Sequence, residues 1–297
     1  VDLYLQHTSD LLLERQIPVV SGFGSVLSNV GETKNKGIEI SLSSLNINTK
    51  SFQWTTDVMF YANKESIESL YNGKVDDIGN KWFIGHPINV HYDYEKIGIW
   101  QNTSEDLAEM EEFNKNGANF KPGDIKIWDN GDKKITEADR KILGSTSPKF
   151  IASMVNSISY KGFDFSIFLY ASVGAMLNNN IEYLNKPGRA NSIVIDYWTP
   201  TNPTNAYPRP SVDNASPAYV KSLQYEKADF IRVRNITLGY TLPEKLLKKI
   251  RARKIRVYLS ANNPFVITGF SGIDPEGARG YTAPSASTWM GGVNLSF

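Results

Sequence analysis

The sequence predicts an all-β fold whose long antiparallel strands cross a membrane, and three observations support this prediction. Apolar residues recur at every second position along several runs, such as residues 52–60, which is the period of a strand with one apolar face. The runs are about ten residues long, which exceeds the usual globular strand and matches a tilted strand crossing a bilayer. Short turns alternate with long polar connections, as in outer-membrane β-barrels.

The predicted strands and connections follow a regular order along the chain. The strands cover residues 36–47, 51–62, 149–160, 163–174, 228–240, 254–263 and 288–297. Residues 1–5 also alternate like the interior of a strand. Tight turns lie at Asn48-Thr49-Lys50 and Lys161-Gly162, and long connections cover residues 64–148, 175–227 and 264–287. Because the two kinds of connection alternate, we expect the long loops to emerge together on the extracellular side.

The first long connection must contain an even number of membrane crossings, because the strands before and after it run in opposite directions. Two segments within it, residues 91–100 and 120–128, have strand character. We therefore expect these segments either to cross the membrane together or to form an extracellular hairpin.

The strand at residues 228–240 changes phase. Ile231 and Ile236 would lie on opposite faces of a regular strand, so a β-bulge is needed near Arg234 to keep one face apolar. Arg232 and Arg234 are then predicted to point into the barrel lumen or to lie near a rim, because a lipid-facing arginine at the midplane costs about 2–4 kcal/mol.

The composition excludes several classes of protein. Lys and Arg number 32 against 31 Asp and Glu, so the net charge of +1 gives no basic field for nucleic acid. The absence of cysteine excludes a thiolate nucleophile, a disulfide framework and a cysteine-bound metal. The mean hydropathy is −0.33, and no apolar run approaches the roughly 18 residues of a membrane-spanning helix.

Blocks of residues distributed along the whole chain carry a resemblance to a known family. They are residues 29–31, 35–39, 122–126, 144–150, 198–209 and 230–243, followed by Phe297. Each block is modest alone, but together, in the same order, they form a specific signal. The chain resembles the C-terminal part of the TonB-dependent outer-membrane transporters of the SusC/RagA type.

The resemblance implies a fold class and a location. Residues 1–297 are expected to be one segment of the receptor β-barrel, namely the C-terminal strands of a large antiparallel transmembrane barrel of about 22 strands with long extracellular loops. The plug domain and the N-terminal strands are expected outside this chain. The intact protein would contact outer-membrane lipid in the cell outer membrane. Phe297, at the end of an alternating terminal run, resembles a barrel-assembly signal.

The resemblance also implies transport rather than enzymatic activity. The receptor would import oligomeric nutrients, either glycans or peptides, with a SusD-like surface lipoprotein as a lid and with TonB contacted through upstream regions. The alternatives are a soluble β-rich carbohydrate-binding or adhesin module, and a glycoside hydrolase using Asp274 and Glu276. An apolar belt on the outside of the strands distinguishes the transporter, because a soluble β protein buries its apolar stripes.

An Asp-rich segment is the candidate metal site. Asp129, Asn130, Asp132 and Asp139 are spaced like the oxygen ligands of a calcium loop. Lys133 occupies the position at which such loops carry glycine, and the spacing from Asp129 to Asp132 is one residue short. The alternative is an external turn held by Asp and Asn side chains.

The loop around Trp198 is the candidate contact with partner or cargo. Trp198, Tyr207 and Arg209 lie in a run of prolines from Pro200 to Pro210. Prolines limit the entropy lost on docking, and aromatic and arginine side chains make good anchors. The alternative is that these aromatic side chains pack within the loops.

Overall fold

The computed structural model describes residues 1–179, 194–210, 217–247, 252–276 and 285–297, and these residues form an antiparallel β structure. The first strands are β1 (Asp2–Gln16), β2 (Ser25–Asn48), β3 (Phe52–Ser69), β4 (Val90–Tyr94), β5 (Lys96–Ile99), β6 (Ile125–Ile127) and β7 (Arg140–Ser145). The later strands are β8 (Phe150–Tyr160), β9 (Phe163–Val173), β10 (Met176–Asn178), β11 (Tyr225–Lys227), β12 (Phe230–Thr241), β13 (Lys254–Thr268) and β14 (Thr288–Ser296). The α-helices are α1 (Ser104–Lys115) and α2 (Glu244–Leu247). The predicted all-β fold class is confirmed.

Eight strands form one large sheet in the order β1-β2-β3-β8-β9-β12-β13-β14. Every neighbouring pair in this sheet is antiparallel. Within the described residues, the outer strands β1 and β14 each pair with one neighbour, so the sheet is not closed into a barrel.

The two ends of the large sheet carry different connections. Tyr160 pairs with Phe163 across a tight turn at one end, and the β2–β3 turn lies at the same end. At the other end Phe150 pairs with Val173, and Phe230 pairs with Thr268. The long connections therefore emerge at one end, as the sequence predicted.

The first long connection adds no strand to the large sheet, because β3 and β8 are direct neighbours. Its strands form two small sheets, in which β4 pairs with β7 and β5 pairs with β6. The two segments therefore add no crossing to the large sheet, and the predicted hairpin is present in part: β5 pairs with β6, whereas β4 pairs with β7.

The apolar stripes of the strands lie on the outside of the sheet. The outward side chains of Leu42, Phe163, Leu238, Leu259 and Val293 are 51 to 66% exposed. The clusters of buried apolar side chains consist instead of residues outside the eight strands. This inverted distribution is the one expected when lipid solvates the outer face.

Aromatic pairs mark both rims of the apolar belt. At the tight-turn rim, the rings of Phe52 and Tyr160 are 6.3 Å apart. At the opposite rim, Phe60 and Phe150 stack with their centroids 5.6 Å apart. Strand β8 runs from one rim to the other in 11 residues, which corresponds to a height of about 25 Å for a tilted strand.

Polar side chains on the outer face are paired with each other. The indole Nε1 of Trp54 donates to Oδ1 of Asn156 at 3.0 Å, and the hydroxyl of Thr56 donates to the same oxygen at 2.7 Å. Such pairing matters because lipid tails provide no hydrogen-bond partner for these groups.

The predicted bulge in β12 is present. The pairing with both neighbouring strands shifts register between Val233 and Asn235, which leaves Arg234 as the additional residue. Arg232 faces the inner side and is 3% exposed, whereas Ile231 and Leu238 remain on the outer face. The bulge therefore keeps one face apolar, as expected.

Several strands are longer than predicted, always at the long-loop end. Strand β2 begins at Ser25 rather than at residue 36, and β3 ends at Ser69 rather than at residue 62. Backbone pairing continues beyond the belt, where no lipid imposes an alternation of apolar and polar side chains. Within the described residues, no helix is long and apolar enough to cross a membrane.

The outer face of β3 provides a test of this orientation. We predict that Val58→Arg destabilises the intact protein in lipid vesicles by about 2–4 kcal/mol, because Val58 shares the outward face with Phe60 near the middle of the belt. The neighbouring substitution Met59→Arg places the same charge on the inner face and should cost less. Urea unfolding measures both; an equal cost for the two would contradict the assigned faces.

Candidate binding surface of the long loops

The first long connection contains a helix with clear sequence signals. The Thr103 side chain caps α1 by accepting a hydrogen bond from the Asp106 amide at 3.3 Å. Acidic side chains occupy the first turn and Lys115 the last turn, which complements the helix dipole. Met110 and Phe113, three residues apart, form the buried face of the helix.

Two long connections share one hydrophobic core. One cluster contains Trp100, Met110, Phe113 and Phe120 from the first connection. A second cluster joins Ile99, Ile125 and Ile127 of the first connection to Trp198, Val220 and Leu223 of the next connection. Ile135 and Tyr219 pack against both clusters and so connect them. We call the described residues 70–149 and 194–229 the loop body, because these clusters make them one packed unit.

An ionic network fixes α1 against β6. Nζ of Lys126 lies 2.9 Å from Oδ1 of Asp106 and 2.6 Å from Oε2 of Glu109, and it also lies 4.1 Å from the ring centroid of Trp100. Burial disfavours the charged form of Glu109, but Lys126 and Lys133 outweigh this effect and hold its pKa below the usual value. Glu109 is therefore ionised at neutral pH and can pair with both lysines.

The predicted contact residues Trp198, Tyr207 and Arg209 are integrated into the loop body. Trp198 is 5% exposed, and its Nε1 donates to Oε1 of Gln101 at 2.8 Å. Tyr207 packs against the same core. Nε of Arg209 lies 2.8 Å from Oδ1 of Asp124. The Trp198 ring thus packs within the loops, as the alternative interpretation expected, and a contribution to binding by this segment stays a prediction.

The Asp-rich segment forms a turn held by its own side chains. Asp139 is fully buried and accepts hydrogen bonds from the amides of Asn130 at 2.9 Å and Thr136 at 2.6 Å. Oδ2 of Asp129 accepts from the Lys133 amide at 3.2 Å. Lys133 has a φ of 59°, so this lysine adopts the left-handed conformation that a calcium loop assigns to glycine.

The same segment offers three carboxylates to a cation. Oxygens of Asp129, Asp132 and Asp139 lie within 4.8 Å of one another. Oδ1 of Asp129 is buried and has no hydrogen-bond partner among the described residues. The Asn130 side chain instead accepts from the Asp132 amide at 3.1 Å. The carboxylates fit a hard cation such as Ca²⁺, and calcium binding stays a prediction.

An arginine cluster on the inner face ties the last long connection to the sheet. Arg232 pairs with Asp274 at 2.5 Å, and their side chains are 3% and 9% exposed. Arg234 pairs with Glu276, and its guanidinium lies 4.5 Å from the Tyr170 ring centroid. The β12 bulge allows both arginines to reach the same inner side.

Both carboxylates of this cluster are engaged in ion pairs with the arginines, which argues against a glycosidase role for Asp274 and Glu276. Burial alone would raise the pKa of Asp274, but hydrogen bonds from Ser285 and from the Glu276 amide, together with Arg232, lower it. A low pKa removes the proton that a general acid must donate. The sequence placed both arginines in the lumen or near a rim but did not identify their partners. Arg232 and Arg234 are two residues apart, and so are Asp274 and Glu276.

Asp139 gives a test of the Asp-rich turn. We predict that Asp139→Ala destabilises the loop body by about 1–3 kcal/mol, because two amides lose their buried acceptor. Thermal unfolding of the intact protein at increasing calcium concentrations tests whether this segment binds the metal. Calcium should raise the melting temperature, and Asp132→Asn should abolish the rise. If the melting temperature does not depend on calcium, the calcium site is excluded and the segment is only an external turn held by Asp and Asn side chains.

Arg232 gives a second test. We predict that Arg232→Met reduces the local stability of residues 269–276 by about 3–5 kcal/mol, because it leaves Asp274 buried without its counter-charge. Arg234→Met is the matched control; its pair is 25% and 33% exposed and should contribute about 0–1 kcal/mol. Hydrogen exchange of the intact protein measures the local stability in both variants, and equal protection of residues 269–276 in the two variants would refute the prediction.

Comparison with known proteins identifies the kind of protein to which these elements belong. No protein-family model matches the chain. TonB-dependent receptor P3 of Formosa agariphila is 33% identical over 292 residues, covering 93% of this chain and 28% of that receptor. TonB-dependent receptor SusC of Bacteroides thetaiotaomicron is 30% identical over 314 residues, covering 100% of this chain and 30% of that receptor.

Solved structures give the same result. The RagAB peptide transporter superposes with a TM-score of 0.77 at 25% identity, covering 99% of this chain and 33% of that chain. The RagAB peptide importer in its open-open state also gives 0.77, at 26% identity. The chain thus spans about a third of the length of the relatives that it matches. Along its whole length the chain matches a segment of the TonB-dependent receptors of the SusC/RagA type, which are outer-membrane proteins.

Proposed function

We propose that the receptor containing this chain imports oligomeric nutrients across the outer membrane in a TonB-dependent manner. The observation that carries the proposal is the loop body, a packed unit on the extracellular end of a lipid-facing sheet. Binding sites commonly lie on connections held by a rigid scaffold. The loop body has its own core, so it can present a defined surface to cargo.

The cargo is proposed to be a peptide or a glycan. The structural neighbours are described as a peptide transporter and a peptide importer, which favours peptides. The relative SusC is named a TonB-dependent receptor, which supports TonB-dependent import but does not distinguish a peptide from a glycan. The inner-face arginine cluster does not itself provide an open cargo site, because Asp274 and Glu276 neutralise both arginines.

A SusD-like surface lipoprotein is proposed as the partner that covers the loop body. The proposal rests on the similarity to SusC and RagA. The plug domain, the other barrel strands and the TonB contact are proposed to lie in the remaining two thirds of the receptor, with residues 1–297 as the C-terminal barrel segment. Phe297, 76% exposed beside the end of β14, is proposed as part of the barrel-assembly signal.

The segment around Trp198 provides the test of this function. Because Trp198 is buried in the core, deleting the whole segment would also remove core contacts. Residues 180–193 and 211–216 lie outside the described part of the chain. The exposed tip at residues 200–203 is a more precise target.

We predict that replacing residues 200–203 with two glycines weakens co-purification of the lid lipoprotein and slows growth on the cargo at least several-fold. The amount of receptor in the outer membrane should stay unchanged, because the Trp198 core is retained. Replacing the exposed residues 115–117 at the C-terminal end of α1 with three glycines is the control for a general disturbance of the loop body. Normal lid binding and normal growth of the tip variant would count against this contact.

A further inference from the structure

Two lysines face each other on the outer side of the sheet, just above the apolar belt. Lys36 of β2 pairs directly with Lys64 of β3. Side chains alternate along a strand, so Lys36 shares the outward face with Ile38, and Lys64 shares it with Phe60. Phe60 belongs to the aromatic rim at the extracellular end. Both ammonium groups therefore lie at the height of the outer-leaflet head groups.

This pairing is unfavourable within the chain itself. Like charges directly opposite each other on antiparallel strands are destabilising. Lys34, two residues farther along the same face of β2, pairs with Ser66, whose hydroxyl donates to Oε1 of Glu68 at 3.0 Å, so a carboxylate lies near Lys34 and the unbalanced charges are those of Lys36 and Lys64. Across the described residues, Lys36 and Lys64 have no hydrogen bond or salt bridge to a carboxylate. Glu65, adjacent to Lys64, points to the opposite face by alternation.

A groove adjoins the lysine pair. Strand β3 pairs with β8 only as far as Tyr61, and beyond this point a groove of about 860 Å³ separates β3 from β7 and from the start of β8. Apolar side chains such as Ile38 and Leu143 line the groove together with Lys36 and Lys64. It therefore combines an apolar wall with positive charge.

The charges around the groove do not cancel. Lys149 and Lys227 line it in addition to the lysine pair, which gives four lysines against two carboxylates, Glu65 and Asp229. Asp229 already accepts a hydrogen bond from the Gly174 amide at 2.6 Å. The surplus of positive charge lies beside a lipid-facing surface.

We propose that Lys36 and Lys64 bind the phosphate of a phosphorylated glycolipid in the outer leaflet. The two ammonium groups donate hydrogen bonds to one phosphate, which relieves their mutual repulsion. The acyl chains extend down the apolar face from Ile38, and the sugar head group occupies the mouth of the groove. Basic clusters beside membrane-spanning elements bind anionic head groups by the same electrostatic attraction.

The experiment measures lipid binding to the intact receptor by native mass spectrometry. The probes are a phosphorylated, acylated glucosamine disaccharide and its dephosphorylated counterpart. The double variant Lys36→Gln/Lys64→Gln should bind the phosphorylated lipid at least tenfold more weakly. The matched control Lys50→Gln/Lys161→Gln removes two lysines from the tight-turn end and should bind like the parent. The dephosphorylated lipid should not distinguish the parent from the double variant.

Thermal unfolding supplies a second readout, in which the difference in melting temperature between the parent and the double variant changes sign when the lipid is added. Without anionic lipid, the double variant should melt at the same temperature as the parent or higher, because the repulsion is removed. With the phosphorylated lipid, the parent should melt at the higher temperature. Equal lipid affinity in parent and double variant overturns the proposal, as does an equal loss in the control variant. Full protection of the parent by inorganic phosphate alone would assign the site to free phosphate instead.

Discussion

The structure depends on one constraint: a strand in hydrocarbon has to pair all of its backbone groups with neighbouring strands. The antiparallel ladder meets this requirement for the six inner strands of the described sheet, whereas β1 and β14 each have a partner on one side only among the described residues. It also fixes the direction of every side chain, because a shift of one residue would exchange the lipid face with the inner face. The apolar outer belt and the arginines inside the sheet both follow from this register.

The bulge in β12 shows how the constraint is kept where the sequence departs from it. A regular strand would place Ile231 and Ile236 on opposite faces. One additional residue at Arg234 restores the apolar face and brings Arg232 and Arg234 to the carboxylates of the last long connection. Buried ion pairs contribute little net stability compared with apolar packing, so their main effect here is to fix the position of that connection.

The sequence predicted the membrane-facing part of the fold well, because lipid imposes a strict alternation on it. The bulge, the outer belt and the common side of the long loops were all evident in the pattern. The strand extensions in β2 and β3 were not, because outside lipid either face tolerates polar residues. The burial of Trp198 and the pairing of Arg232 with Asp274 depend on contacts between segments far apart in the chain, which no local pattern encodes. The Asp-rich turn was identified as a unit, but its left-handed Lys133 required the structure.

The direct pairing of β3 with β8 has a consequence for how this sheet assembles. A disordered connection of this length would impose an entropy cost on the pairing, and this cost grows by about 0.6 kcal/mol for each doubling of loop length. A connection with its own core reduces that cost, because its folding restrains the ends before the strands meet. Because the loop body lies outside the large sheet, selection on its binding surface is also separate from selection on the membrane-facing strands. Residues of the loop body can diverge, or be exchanged by recombination, while the strand register that satisfies the membrane is left unchanged.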